Sequence, residues 1–346
     1  MANHTQTRVL LDDILKRVSR SFYLTIKAVP ASVRDQIGVA YLFARAADTI
    51  ADTDVIERSR RLVLLKEFKA QFAGEHVDFP SVQSMQSLLV PHQATPGERS
   101  LLSHLTECFH VYESFSPADR ARLRRLLQTL TNGMEMDLTV FPGDSSKDVT
   151  ALATMEDLDR YTYYVAGCVG EFWTAMMCAH LPSLAHWNVV EMAQVGVRFD
   201  KGLQLTNIIK DLSRDLKRGR CYVPAPMLTR IGLEPSALLD PGNRHRFRPV
   251  LLDLLRMARE HLDQGWLYTM AIPRRELRLR LACMWPILFA GETLRLVSFA
   301  PALLDPSVNV KMSKRRVYGI MGLTTLTGGC GYVGTAYWGR LRKQLP

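Results

Sequence analysis

The residues best placed to do chemistry fall into two runs. The first is Arg45-Ala-Ala-Asp48-Thr-Ile-Ala-Asp52. On a helix, Asp48 and Asp52 stand one turn apart on one face, with Arg45 a turn earlier and Tyr41 a turn before that. Two carboxylates in that relation repel by about a few tenths of a kcal/mol if nothing positive lies between them. A shared cation would account for the pair, and so would an ordinary solvated helix end. The second run is Gln204-Leu-Thr-Asn207-Ile-Ile-Lys210-Asp211-Leu-Ser-Arg214-Asp215. Asn207, Asp211 and Asp215 are spaced i, i+4, i+8, so three oxygen ligands line one stripe, and Gln204 begins it one turn earlier. Leu205, Ile208, Ile209 and Leu212 occupy the opposite face, suited to packing in a bundle.

Oxygen donors without His or Cys suit a hard cation. Magnesium is usually held by a few carboxylates, with substrate phosphates and waters completing its shell. Two such stripes in one bundle would hold Mg²⁺ ions around a diphosphate. Arg20, Arg45, Lys210, Arg214, Arg218 and Arg220 lie beside them to meet phosphate charge. The net charge of +10 agrees with an anionic partner. A nucleic-acid surface would instead need cations spread over a face with interleaved aromatics and no acid clusters among them, so nucleic acid is excluded as the partner.

The elements that must carry these runs read as helices almost throughout. Apolar residues recur at helical spacing over 32–53. Ser116-Pro-Ala-Asp119 and Thr154-Met-Glu-Asp157 are capping boxes, the first opening a helix toward Phe141 and the second one that runs to about His180. Further helices are predicted over about 186–215, 247–270, 275–299 and 313–342. The stretch 74–99, rich in Pro, Gln and Ser, is predicted to be a mobile connection. Strand-like alternation is nearly absent, so the expected class is all-α, as a single domain over 1–346.

Composition closes off other classes. The 346 residues are 47% hydrophobic and 23% charged, values of a globular chain. The six cysteines form no CxxC pair, so neither a zinc ribbon nor a disulfide framework is indicated, and a reducing compartment is the default. The polar N-terminus shows no secretory h-region. Val317 to Gly339 carries no charge and is long enough to span a bilayer, yet its seven glycines keep its hydropathy low. It is read as a last helix packed on the core; the alternative is contact with a membrane, aided by Arg340, Arg342 and Lys343. Gly329-Cys-Gly-Tyr-Val-Gly334 fits GxGxxG but follows no predicted strand, so it is discarded as a dinucleotide fingerprint.

Four segments in series carry a resemblance. They are Ser19-Arg-Ser-Phe22; Tyr41-x₃-Arg45-x₂-Asp48-x₃-Asp52; Tyr164-Val-Ala-Gly-Cys-Val-Gly170; and Gln204 through Asp215 to Gly219-Arg220. Together they resemble the squalene/phytoene synthase family, the head-to-head trans-prenyltransferases, over roughly 15–300. The resemblance implies an isoprenoid-synthase helical bundle around a central active-site cavity, with a C-terminal helix at about 313–342. It implies that Asp48, Asp52, Asn207, Asp211 and Asp215 bind Mg²⁺, and that Arg20, Arg45, Lys210, Arg220 and Gln204 bind diphosphate. Tyr41, Tyr164, Arg45 and Lys210 then take the catalytic positions. Gly167 and Gly170 would either clear room for a prenyl chain or serve close helix packing.

Within the family, Asp48-Thr resembles the squalene synthases, whereas phytoene synthases tend to Asp-Glu there. The implied reaction joins two farnesyl diphosphates through presqualene diphosphate and reduces the product with NADPH to squalene, for sterol or hopanoid synthesis. Arg20, Arg45 and Lys311 resemble the contacts to the NADPH phosphates. Dehydrosqualene, phytoene and hydroxysqualene synthases remain open as alternatives, as does a non-catalytic scaffold with the same fold. Ala51 departs from the glutamate that animal and plant squalene synthases carry before the second aspartate, which puts a fourth metal-contacting residue in doubt. The expected setting is the cytoplasm, with peripheral contact to the inner face of the membrane as the variant of that reading, and a monomer is the default.

Overall fold

The computed structural model describes residues 9–19, 22–308, 310–327 and 331–346. A π turn, Val9–Ile14, leads into α1 (Leu15–Ser19), α2 (Phe22–Ala28), α3 (Ala31–Asp52), α4 (Arg58–Ala70), α5 (Phe79–Leu89), α6 (Pro96–Ser103), α7 (Leu105–Glu113) and α8 (Pro117–Val140). Then follow β1 (Thr150–Ala151), α9 (Met155–Thr162), a π segment Tyr163–Gly167, α10 (Cys168–His180), α11 (Val189–Lys217), β2 (Arg220–Cys221), α12 (Ala225–Thr229), α13 (Arg244–Ala271), α14 (Leu277–Phe299), α15 (Lys314–Leu326) and α16 (Gly331–Arg342). The chain is all-α, as its periodicity requires. Among the described residues the strands are limited to β1 and β2, a two-residue parallel pair.

The helices gather into two compact units: Met1–Leu138 with Phe172–Ala185, and Thr139–Glu171 with His186–Pro346. The first is built around α3. Its Phe43 sits in an aromatic cluster with Phe68, Phe72, Phe109 and Tyr112, at centroid distances of 4.6–6.2 Å. The C-terminal end of α3 is fixed from outside. Arg61, 2% exposed, donates to the Ala51 carbonyl at 2.8 Å, and Gln93 donates to the Thr53 hydroxyl at 3.1 Å. The first satisfies a carbonyl that the helix end leaves open, and both fix the last turn, where Asp52 lies. Asp119, placed by the Ser116 capping box, ties α8 to α10 through His180 at 3.0 Å.

In the second unit α11 lies along α13, and glycines set how closely they approach. A Cβ on Gly202 would come within 3.0 Å of the Leu262 nitrogen, and one on Gly265 within 2.5 Å of the Phe199 ring. Gly170 is read more sharply than the sequence allowed: its Cβ would sit 2.2 Å from the Gly196 carbonyl oxygen, so it serves helix packing. Gly219, at φ 78, ends α11 in the left-handed region and hands the chain to β2.

Three expectations are corrected. The stretch 74–99 is mostly helical, in α5, a 3₁₀ turn at Val90–His92 and the start of α6; Val82, Met85 and Leu89 are buried at 3- and 4-residue spacing, and Asp78 caps Ser81 at 3.2 Å. The helix from Thr154 toward His180 is interrupted by the π segment. The single C-terminal helix expected over 313–342 is two helices among the described residues, Lys314–Leu326, capped at Thr327, and Gly331–Arg342. Among the described helices, α14 alone is long and apolar enough to cross a membrane, and 67% of its apolar stretch is buried inside the protein, as a core helix requires.

Both C-terminal helices are anchored on α14 by Glu292, which is 1% exposed. It accepts from Tyr337 Oη at 2.7 Å, Arg316 Nε at 3.0 Å and Arg295 Nε at 3.1 Å. Burial alone would raise its pKa; the Tyr337 and Arg316 hydrogen bonds and the nearby guanidinium charges outweigh this and hold it below the ordinary carboxylate range. Its stabilisation is therefore complete above that range and lost as pH falls through the lower folded value. Glu292→Gln should lower stability at neutral pH by about 1–3 kcal/mol, and the gap to the parent should close in acid. Thermal melts at both conditions check this; a gap that widens in acid would remove Glu292 as an ionised anchor.

Candidate active site

On α3, Tyr41, Arg45 and Asp48 are half-buried and Asp52 is exposed, while Phe43, Ala46, Ala47 and Ile50 are fully buried on the other side. Arg45 bridges two carboxylates, pairing with Asp48 a turn ahead and with Glu98 on α6. Burial works against its charge, but Asp48 and Glu98 outweigh burial and raise the guanidinium pKa above its ordinary value. The sequence reading missed Glu98. The signal was present: Thr95-Pro-Gly-Glu98 is a capping box, with Glu98 Oε2 accepting from Thr95 Oγ1 at 2.7 Å.

On α11 the predicted stripe forms. Asn207 is exposed, Gln204, Asp211 and Asp215 are half-buried, and Leu205, Ile208, Ile209 and Leu212 are 1–3% exposed. Lys210 Nζ lies 3.3 Å from Asn207 Oδ1 and 3.2 Å from Asp211 Oδ2, and Arg214 also pairs with Asp211. Burial lowers the Lys210 pKa, the Arg214 charge adds to that, and Asp215 opposes it. Gly219 delivers Arg220 to β2, where its guanidinium is 3.8 Å from Asp144 Oδ1.

Tyr164 lines a cleft of about 820 Å³ together with Tyr163, Leu205, Met257, His261 and Lys201. Lys201 is a further group the sequence did not single out. It is 9% exposed, its Nζ is 2.6 Å from Asp159 Oδ1, and it stands 5.9 Å over the Tyr163 ring. Burial, with the charges of Arg198 and Lys201, pushes His261 down to about 4, so it is neutral at ordinary pH. Lys311 lies in a different hollow of about 700 Å³, lined also by Arg295, Arg316, Arg340, Glu292 and Tyr337, which takes no residue of the α11 stripe. Arg20 lies outside the described residues.

A family model described as squalene/phytoene synthase matches residues 15–316. The chain belongs to this family. Squalene/phytoene synthases are prenyltransferases that serve isoprenoid synthesis, so the protein is an enzyme of that kind. It is 26% identical over 341 residues to the squalene synthase of Eremothecium gossypii, covering 96% of this chain and 71% of that protein. It is 24% identical over 316 residues to the squalene synthase of Saccharomyces cerevisiae (91% and 67%). A bifunctional lycopene cyclase/phytoene synthase of Arthroderma gypseum matches at 27% over 250 residues, covering 71% of this chain and 39% of that one. The chain spans between 38% and 71% of the length of curated relatives such as these. In fold it is similar to TcSQS in complex with a ligand, with a TM-score of 0.75 at 21% identity over 98% of this chain and 96% of that one. A dehydrosqualene synthase gives 0.64 at 21% identity, over 94% and 96%.

Among the described residues, no group of three or more His, Cys, Asp and Glu side chains converges as a metal centre. One acid of each stripe instead carries an ion pair to a neighbouring cation, Asp48 to Arg45 and Asp211 to Lys210 and Arg214. The donor set still fits magnesium: each stripe offers oxygen only, on a partly exposed helix face, with few enough ligands to leave positions for phosphate and water.

One group on α11 bears on stability. Burial pushes Asp200 up to about 8; the residue keeps part of its surface exposed, but its carboxyl is enclosed. Between the ordinary value of 3.8 and about 8 the folded protein holds a proton that the unfolded chain has lost, so stability declines as pH rises across that window. Asp200→Asn should match the parent at the acid end and melt at higher temperature at the alkaline end. Melts across the window check this, and parallel curves for both proteins would contradict it.

Proposed function

We propose that this protein joins two molecules of farnesyl diphosphate head to head into presqualene diphosphate and reduces that product with NADPH to squalene. The observation carrying the reading is that α3 and α11 each bury an apolar face and present an oxygen-only stripe flanked by cations. Asp48 and Asp52 on one helix and Asn207, Asp211 and Asp215 on the other are the residues that would hold Mg²⁺. Bound there, Mg²⁺ would supply the positive charge that stabilises a departing diphosphate.

The chain's own groups do the rest. Arg45, Lys210, Arg220 and Gln204 on the described elements, with Arg20, take phosphate oxygens. Glu98 holds the Arg45 guanidinium in place from its second side. Loss of diphosphate leaves an allylic cation, which a water-poor pocket with aromatic faces and tyrosine oxygens stabilises. Tyr41 and Tyr164 are assigned that task. Lys311, with Arg20 and Arg45, is assigned to the phosphates of NADPH, which supplies the hydride that ends the second half-reaction. Asp48-Thr supports the squalene branch over the phytoene branch.

Product analysis tests the reading. With farnesyl diphosphate and Mg²⁺ alone, presqualene diphosphate should accumulate, and added NADPH should convert it to squalene. Phytoene from geranylgeranyl diphosphate, hydroxysqualene, or dehydrosqualene formed regardless of NADPH would assign another branch. No product from a folded protein would favour a scaffold. Asp211→Asn should lower turnover by roughly 10²–10³, about 3–4 kcal/mol, with the fold intact by circular dichroism. Lys311→Ala should impair the reductive half more than the first; equal impairment would remove it from the cofactor site.

A further inference from the structure

One side chain of α11 lies across the irregular turn between α9 and α10. Over Tyr163–Gly167 the backbone departs from α geometry, and the Cys168 N–H bonds back to the Tyr163 carbonyl, five residues earlier. The Cys168 thiol donates to the Tyr164 carbonyl at 3.0 Å. A π turn is rare, and its extra residue puts it out of step with the helix on either side, so contacts from outside the turn must favour it.

Lys201 supplies those contacts. Asp159, Tyr163 and Gly167 follow one another at four-residue intervals, from α9 to the end of the π segment. Lys201 meets all three. Its stem passes Gly167, where an added Cβ would stand 3.5 Å from Lys201 Cγ and 3.1 Å from both Val197 and the Tyr163 ring. Glycine therefore lets the lysine and the ring close over the turn. The ammonium stands 5.9 Å over the Tyr163 ring and 2.6 Å from Asp159 Oδ1. Glu171, at the next interval of four, accepts from Tyr163 Oη at 3.3 Å. A cation thus holds the face of the Tyr163 ring, and a carboxylate holds its hydroxyl.

Stability alone does not account for this lysine. It is 9% exposed, and burying an ammonium costs free energy. The Asp159 side chain is 68% exposed, and an ion pair so open to water contributes about 0–1 kcal/mol. An apolar side chain could fill the space without that cost, but it could not tie a ring and a carboxylate together. The held ring is the neighbour of Tyr164. The two ring centroids are 6.0 Å apart at 50°, and both tyrosines line one cleft with Lys201.

We propose that Lys201 is a positioning residue: it locks the π segment over Gly167 and Tyr163 and thereby fixes where Tyr164 presents its hydroxyl. Its effect on turnover rests on the reaction proposed above, in which Tyr164 faces the allylic cation. The lock itself does not.

Hydrogen–deuterium exchange and steady-state kinetics test this with Lys201→Met, Lys201→Arg and Asp159→Asn. Lys201→Met keeps an unbranched stem and removes the charge. Amides of 163–168 should then exchange roughly tenfold faster than in the parent, while those of α3 keep parental rates. The kcat with farnesyl diphosphate should fall by roughly tenfold or more at little-changed KM, because a residue that orients Tyr164 acts on the transition state and not on substrate binding. Lys201→Arg, which keeps a cation over the ring, should retain most of both. Asp159→Asn, at an exposed side chain, should move both readouts the same way by less, and it decides the matter should Lys201→Met fail to fold. Parental exchange over 163–168 in the folded variants would overturn the proposal. So would faster exchange spread over the whole chain, local exchange with unchanged kcat, or a loss confined to KM, which would make Lys201 a substrate ligand. Locally faster exchange in the variants of a parent that forms no prenyl product would support the lock and refute the reaction instead.

Discussion

Two carboxylates one turn apart on a helix repel, and the organisation of α3 and α11 follows from where that repulsion is tolerated. Each helix buries one side in its own unit, α3 through Phe43 and the rings around it, α11 through Leu205, Ile208, Ile209 and Leu212. The acids are left on the partly exposed side, where cations stand beside them: Arg45 for Asp48, Lys210 and Arg214 for Asp211. An arrangement that spends helix positions on like charges in this way is suited to a ligand that brings positive charge with it, and diphosphate with Mg²⁺ does so.

The fixed ends of these helices matter as much as the acids. Asp52 sits on the last turn of α3, and Arg61 and Gln93 hold that end by bonding Ala51 and Thr53. Arg220 follows α11 only because Gly219 can adopt a positive φ, which turns the chain into a short strand paired with Thr150 and Ala151. In both cases a residue other than the acids and cations themselves determines where they point.

Local signals made much of this legible in the sequence. The acid runs, the capping boxes at Ser116 and Thr154 and the apolar face of α11 depend on spacing within a few turns, and each appears in the structure where spacing placed it. Contacts distant in sequence were not legible. Glu98 meets Arg45 across 53 residues, and Lys201 meets Asp159 across 42. Composition misled at 74–99, where polar and proline residues hid a buried apolar stripe at helical spacing. At the C-terminus the absence of charge over 317–339 suggested one continuous helix; the described residues form two, Lys314–Leu326 and Gly331–Arg342, each packed on α14. That division exposes Tyr318, Leu326 and Tyr332 together, a surface that hydropathy averaged over the segment does not show.

The central claim is that the oxygen stripes of α3 and α11 recognise diphosphate through magnesium. Calorimetric titration of the purified protein with inorganic diphosphate measures it most directly. The account predicts binding that requires Mg²⁺, is weakened strongly by Asp52→Asn and by Asp211→Asn, and survives Lys311→Ala. Binding of equal strength without Mg²⁺, or binding that either aspartate variant leaves unchanged, would contradict it.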